Sequence, residues 1–161
     1  MSRAFVKETA ESAPPPERMV EAGPNLVTPE GLAQIAGHVA RIEAALASQT
    51  DPLLRETLAR DLRYWVHQQS TAQVVAPSTA SRSPSPVTTG EENIVRFGSR
   101  VVLTRKGREQ RFRIVGVDEA EPSRGLISFR SPLAAALIGA RAGDVVEAAE
   151  PLGEIEIVRV E

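Results

Sequence analysis

Two acidic pairs and one basic cluster are the groups in this chain whose types and spacing could do chemistry. Asp51 and Glu56 flank a break between two helix-patterned segments, in the run Ser48-Gln49-Thr50-Asp51-Pro52-Leu53-Leu54-Arg55-Glu56. Carboxylates at the end of a projecting arm can hold a divalent cation and a water where they converge on one point. Asp51 also precedes a proline, which is the signature of an N-cap followed by a first helical residue. Asp118-Glu119 is the second acidic pair, in a turn after an alternating strand. Arg105, Lys106, Arg108, Arg111 and Arg113 fall within nine residues with Glu109 as the one opposing charge among them, a density suited to weak, salt-sensitive nucleic-acid contact. The same arginines alternate with Phe112 and Ile114, as on the wet face of any half-buried strand, and no aromatic stacking platform accompanies them.

Other chemistries fail on inventory. The 161 residues include no cysteine and only two histidines, which removes thiolate nucleophiles, disulfides and Cys/His metal sites. His38 and His67 lack a Ser/Asp constellation and read as solvated helix residues. No glycine-rich phosphate loop occurs. Prolyl isomerisation would need an aromatic-lined pocket, and the C-terminal half holds only Phe97, Phe112 and Phe129, which the alternation assigns largely to its own core. A net charge of −2 gives no global attraction to nucleic acid or to an acidic membrane. No apolar run reaches spanning length and no apolar stretch marks a leader, so the expected setting is reduced and cytoplasmic.

The elements that must position these groups fall into four stretches. Residues 1–24 carry Pro14-Pro15-Pro16 and few large apolar side chains, a composition expected to stay disordered. Residues 25–76 read as a helical hairpin. Thr28-Pro29-Glu30 is a cap followed by the first two helical positions, and Leu32, Ile35, Val39, Ile42 and Leu46 repeat at coiled-coil spacing. After Asp51-Pro52, the answering seam is Leu58, Leu62, Trp65, Gln69 and Ala72, with Tyr64 and Trp65 as packing anchors. Two helices of similar length joined by a tight turn must be antiparallel. Residues 77–93, rich in Pro, Ser and Thr, are expected to be a linker.

Residues 94–161 form a second domain. Alternating segments around Val101–Leu103, Phe112–Ile114, Leu126–Phe129, Val145–Ala149 and Glu154–Val160 predict a small, mostly antiparallel sheet. Ser131-Pro132 starts a short helix through Leu133 and Leu137 that Gly139 ends, and Gly143-Asp144 turns the chain into the next strand. The fold class is α+β: an N-terminal antiparallel two-helix coiled-coil hairpin plus a C-terminal sheet with one short helix.

Ser131-Pro132-Leu133-Ala134, Ala136-Leu137-Ile138 and Gly143-Asp144 together resemble the C-terminal signature of the Gre transcription elongation factors, GreA and GreB. VRFGSRVVL from Val95, QRFRIVGVDE from Gln110 and the closing LGEIEIVRVE are similar to that family's strands. The resemblance implies an FKBP-like sheet and a bacterial RNA polymerase partner. It implies docking on the rim of the secondary channel through Asp118, Glu119, Ser131, Pro132 and Leu133. In Gre factors, paired carboxylates at the hairpin tip help hold a second Mg²⁺ at the polymerase active centre, so that the polymerase hydrolyses its own backtracked transcript. Here the family's D-x-x-E-N tip is replaced by Asp51 and a Glu56 five residues on, in a shorter arm. The expected function is therefore a non-enzymatic, monomeric polymerase-binding regulator. It binds no cofactor of its own and meets the polymerase Mg²⁺ only if the tip carboxylates reach it. A cleavage-stimulating factor and a polymerase-independent coiled-coil adaptor are the alternatives.

Overall fold

A computed structural model describes residues 15–76 and 93–161. The expected linker, apart from Asn93, and the first fourteen residues of the expected tail lie outside the described residues. The chain divides into two compact units, residues 35–70 with the segment before residue 23, and residues 23–34 with 71–161.

The first unit holds most of the helical hairpin, with the first turns of its leading helix in the second unit. Helix α1 (Pro29–Ser48) and helix α2 (Pro52–Thr71) have 20 residues each, so each is about 30 Å long at 1.5 Å rise per residue. They run antiparallel, as expected. His38, near the middle of α1, stacks flat on Trp65 of α2 with ring centroids 4.1 Å apart. Near the connection, one Arg55 guanidinium nitrogen donates to the carbonyls of Leu46 at 2.9 Å and Gln49 at 2.7 Å, satisfying the end of α1. Ile35, Val39 and Trp65 are buried in the seam. His38, expected as a solvated residue, is thus half-buried with one ring face packed on Trp65.

The α2 seam also departs from strict heptad spacing at its end. Gln68 is buried and donates to the Tyr64 hydroxyl at 3.3 Å, whereas Gln69 is exposed. Helical drift relative to a 3.5-residue repeat accounts for the shift, and the helix stops at Thr71 before Ala72 can contribute. Residues 15–22, expected as part of a disordered tail, make specific contacts with α2. The Arg18 guanidinium lies 3.7 Å over the Tyr64 ring, and Glu17 pairs with Arg63.

The second unit contains two sheets. Strands β1 (Asn25–Val27) and β2 (Ala72–Val74) flank the helices and pair in parallel. Neither was expected, since a three-residue strand carries no readable alternation. The larger sheet comprises β3 (Arg100–Arg105), β4 (Arg108–Val115), β5 (Leu126–Ser128), β6 (Val145–Ala148) and β7 (Gly153–Val160), in the order β5-β4-β3-β7-β6. All pairings are antiparallel except β4 with β5. The β3–β4 turn places Lys106 at φ 50° and Gly107 at φ 73°, the pair of positive angles that matches hairpin twist.

Helix α3 (Pro132–Leu137) is capped by Ser131, whose Oγ accepts from the Ala134 amide at 3.2 Å, and Gly139 follows at φ 90°. It packs on the sheet face made by Leu103, Ile114, Ile155 and Ile157, closing the core with Leu137 and Ala134. Phe97 and Phe129 meet edge to face at 5.7 Å against that core. The α+β expectation holds: a hairpin, then a mostly antiparallel sheet with one short helix.

Two outcomes follow from these contacts. Lys106 occupies a left-handed conformation that disfavours side chains with a Cβ, so Lys106→Gly should raise stability by about 1 kcal/mol in urea denaturation. The hydrogen bond from Arg63 holds the Glu17 carboxyl below its ordinary value. A depressed carboxylate contributes stability above its unfolded pKa and loses it as pH falls through its folded one. The contact should therefore persist through the usual carboxylate range and release only at more acid pH. Fluorescence of the single tryptophan, Trp65, should report that transition, and Glu17→Gln should abolish it.

Candidate partner-docking site

Glu119 shows how the second unit is built. Its side chain is buried, with Oε2 accepting from the Thr28 amide at 3.0 Å and the Gly116 amide at 2.9 Å, while Oε1 accepts from the Thr28 hydroxyl. That hydroxyl in turn accepts from the Gly31 amide at 3.0 Å, completing the N-cap of α1. The carboxylate therefore sits at a helix N-terminus, where orphan amides and the helix dipole favour negative charge. The approach requires glycine on both sides. A Cβ on Gly31 would lie 2.1 Å from the Glu119 carboxyl carbon, and one on Gly116 would lie 2.6 Å from the Leu26 carbonyl.

Of the five residues expected to form the docking face, the structure divides the roles. Glu119 is spent on this internal network, because its oxygens already accept from three donors. Leu133 is buried in the core cluster beneath α3. Asp118 and Ser131 are half-buried and Pro132 is exposed. These three occupy one end of the sheet, since β4 and β5 are parallel neighbours with Val115 opposite Ser128, and the segments carrying them leave together. Phe129 reinforces the junction by donating its amide to the Val115 carbonyl at 2.9 Å. The surface that could meet a partner is therefore Asp118, the Ser131 cap and Pro132.

The hairpin tip is arranged differently from a metal-holding tip. Asp51 Oδ1 accepts from the amides of Leu53 at 2.9 Å and Leu54 at 3.1 Å, an N-cap as expected. Glu56 is exposed one turn later. Five positions along a helix separate two side chains by about 140° around the axis and about 7.5 Å along it. The two carboxylates consequently point to different faces and do not fit a shared Mg²⁺. Leu53 and Leu54, which lie between them in sequence, are roughly half exposed. Among the described residues, no group of three or more His, Cys, Asp or Glu side chains could hold a metal ion.

The basic cluster lies along the β3–β4 hairpin. Lys106, Arg108 and Arg111 are exposed and Arg105 is half-buried. Arg111 pairs with Glu109 at 3.5 Å. Arg113 is drawn inward instead: its side chain is 17% exposed and reaches Glu30 of α1 at 3.3 Å. The Glu30 carboxyl is held below its ordinary value, first by a hydrogen bond from its own backbone, then by the Thr28 hydroxyl and Arg113. Sequence reasoning missed the Thr28–Glu119 network. Its one local trace is Gly31, a helix-disfavouring residue in the first turn of α1.

Replacing Glu119 should show this dependence directly. Glu119→Ala leaves three buried donors unsatisfied and should cost about 3 kcal/mol in urea denaturation followed by circular dichroism. Glu119→Gln keeps the shape but turns an amide donor toward those donors, and should recover only part of the loss.

Comparison with known proteins bears on residues 90–161, which match the family described as transcription elongation factor, GreA/GreB, C-terminal. Transcription elongation factor GreA of Orientia tsutsugamushi (strain Ikeda) is 45% identical over 69 residues, covering 42% of this chain and 43% of that protein. Transcription elongation factor GreB of Neisseria meningitidis serogroup A is 52% identical over 68 residues, covering 40% and 42% respectively. The chain thus spans less than half the length of these relatives. Among solved structures, GreA factor homolog 1 (Gfh1) of Thermus thermophilus aligns over 86% of this chain and 99% of its own, at 19% identity and a TM-score of 0.40. The matched strands, the Ser131-capped helix and the Asp118 turn lie together in the C-terminal unit, and over residues 90–161 the chain is similar to the GreA/GreB C-terminal domain family.

Proposed function

We propose that this chain is a non-enzymatic regulator that binds bacterial RNA polymerase through its C-terminal domain, with its hairpin at the secondary-channel entrance, and does not stimulate transcript cleavage. The observation that carries this reading is the tip. Asp51 is engaged as a helix cap, Glu56 lies about 140° further round the helix, and the exposed tip residues between them include the apolar Leu53 and Leu54. An arm with helices of about 30 Å retains reach but lacks convergent chemistry at its end. Docking falls to the turn and helix start at one end of the sheet, where Asp118 and Pro132 meet solvent at least in part. Such a protein acts in the cytoplasm as a monomer, modulates elongation or initiation by occupying the entrance, and makes only weak nucleic-acid contact of its own.

Affinity capture of core RNA polymerase by the full chain, beside a cleavage assay on backtracked complexes, tests both parts. Binding should be retained by the native chain and reduced about tenfold or more by Pro132→Arg or Asp118→Arg. Transcript cleavage should stay at the polymerase's intrinsic rate when the chain is added. Absence of polymerase binding would remove the reading altogether. Stimulated cleavage that Asp51→Ala and Glu56→Ala abolish would instead make the chain a working cleavage factor.

A further inference from the structure

We infer that a cleft beside the β3–β4 hairpin is an anion site for a phosphate-bearing ligand of about mononucleotide size. The cleft has a volume of about 540 Å³ and is lined by Arg100, Arg111, Arg113 and Arg124, with Val102 and Leu126 among its apolar walls. Its strand arginines lie on the sheet face opposite the core: Arg100 and Val102 alternate with Val101 and Leu103, which belong to the core cluster. The strand register brings the cations together. Arg100 is opposite Arg113 and Arg111 is opposite Val102 across β3–β4, while Arg113 is opposite Leu126 across β4–β5. Arg124 comes from the turn just before β5.

Like charges placed directly across a strand pair are unfavourable by themselves. Four arginines line the cleft against two glutamates, Glu30 and Glu161; Arg111 and Arg124 also pair with Glu109 and Glu121 at 3.5 and 3.3 Å, but both partners of each pair are exposed, so these pairs are weak and open to exchange. Arg113 supplies the second observation. Its Nε is buried and has no hydrogen-bond partner, while Glu30 takes a single Nη2 contact at 3.3 Å. A guanidinium offers parallel donors matched to two oxygens of a phosphate, and this one is incompletely used. The Glu30 side chain is 60% exposed, and ion pairs at such exposure are weak enough for a dianion to displace. A cleft of this volume is within the range for small ligands, and Val102 and Leu126 offer contact to the uncharged part. The Arg105–Arg108 end of the hairpin is not needed, and the site does not depend on whether polymerase is the partner.

Isothermal titration of the full chain at low salt with ADP, inorganic pyrophosphate, a short 5′-phosphorylated single-stranded RNA and hexaglutamate tests the site. Phosphate-bearing probes should bind, and the double substitution Arg111→Gln/Arg124→Gln should weaken them about tenfold or more. Those side chains are 74% and 70% exposed, so the fold should survive their neutralisation. Glu30→Gln removes the competing carboxylate and should tighten binding several-fold, a gain that general misfolding does not produce. Preference for RNA over ADP assigns the phosphate to a strand, and the reverse preference assigns it to a free nucleotide. Failure of all phosphate probes to bind at millimolar concentration overturns the inference. Indifference to the double substitution, or preference for hexaglutamate, overturns it equally.

Discussion

A carboxylate removed from water must find enough donors to replace its hydration, and that requirement shapes the second unit around Glu119. Three hydrogen bonds and the first turn of α1 supply the compensation. In return the surroundings are fixed: a hydroxyl at Thr28, and no side chain at Gly31 or Gly116. Because its partners lie 91 residues apart in the chain, the network joins the strand before the hairpin to the turn after β4. Neighbouring features then follow from it. Glu30, the residue after Pro29, is held where Arg113 can reach it, and Gly116 is pressed against the backbone of β1.

This internal use of Glu119 changes how the acidic turn is read. A pair of adjacent carboxylates in a turn looks like one exposed patch, yet adjacent residues in a tight turn point in different directions. Here one closes a structural gap and the other is left at the surface end of the sheet. The same division occurs at the helix start, where Ser131 caps, Pro132 faces solvent and Leu133 enters the core. A contact face built from such a segment is held rigid by its inward-facing members, which favours a defined partner geometry over a diffuse charged one.

Features set by neighbours along the chain were legible in the sequence. Asp51-Pro52 and Ser131-Pro132 announced caps and Gly139 announced a helix end, each confirmed by local geometry. The seam residues Ile35, Val39 and Trp65 were legible because burial follows period. Features set by distant partners were not. Asn25–Val27 and Ala72–Val74 are too short to show alternation, and their parallel pairing depends on the whole excursion between them. The parallel entry of β5 beside β4 was likewise hidden, since a three-residue apolar strand carries no direction. His38 looked solvated by residue type alone, and only the antiparallel register brings it face to face with Trp65. For the tip, sequence spacing already separated Asp51 from Glu56, and the helix geometry turned that spacing into divergence.

The parallel pair β1–β2 has a further meaning for how such a chain can change over generations. The polypeptide departs after Val27 and is gathered again at Ala72, so the ladder between those strands closes a long excursion with three residues on each side. Nothing in that ladder specifies how many helical turns lie in the loop it closes, and loop closure entropy grows only slowly with added length. Heptads can therefore be inserted or deleted in matched pairs, changing the length of the helices without altering the three-residue ladder that closes the excursion.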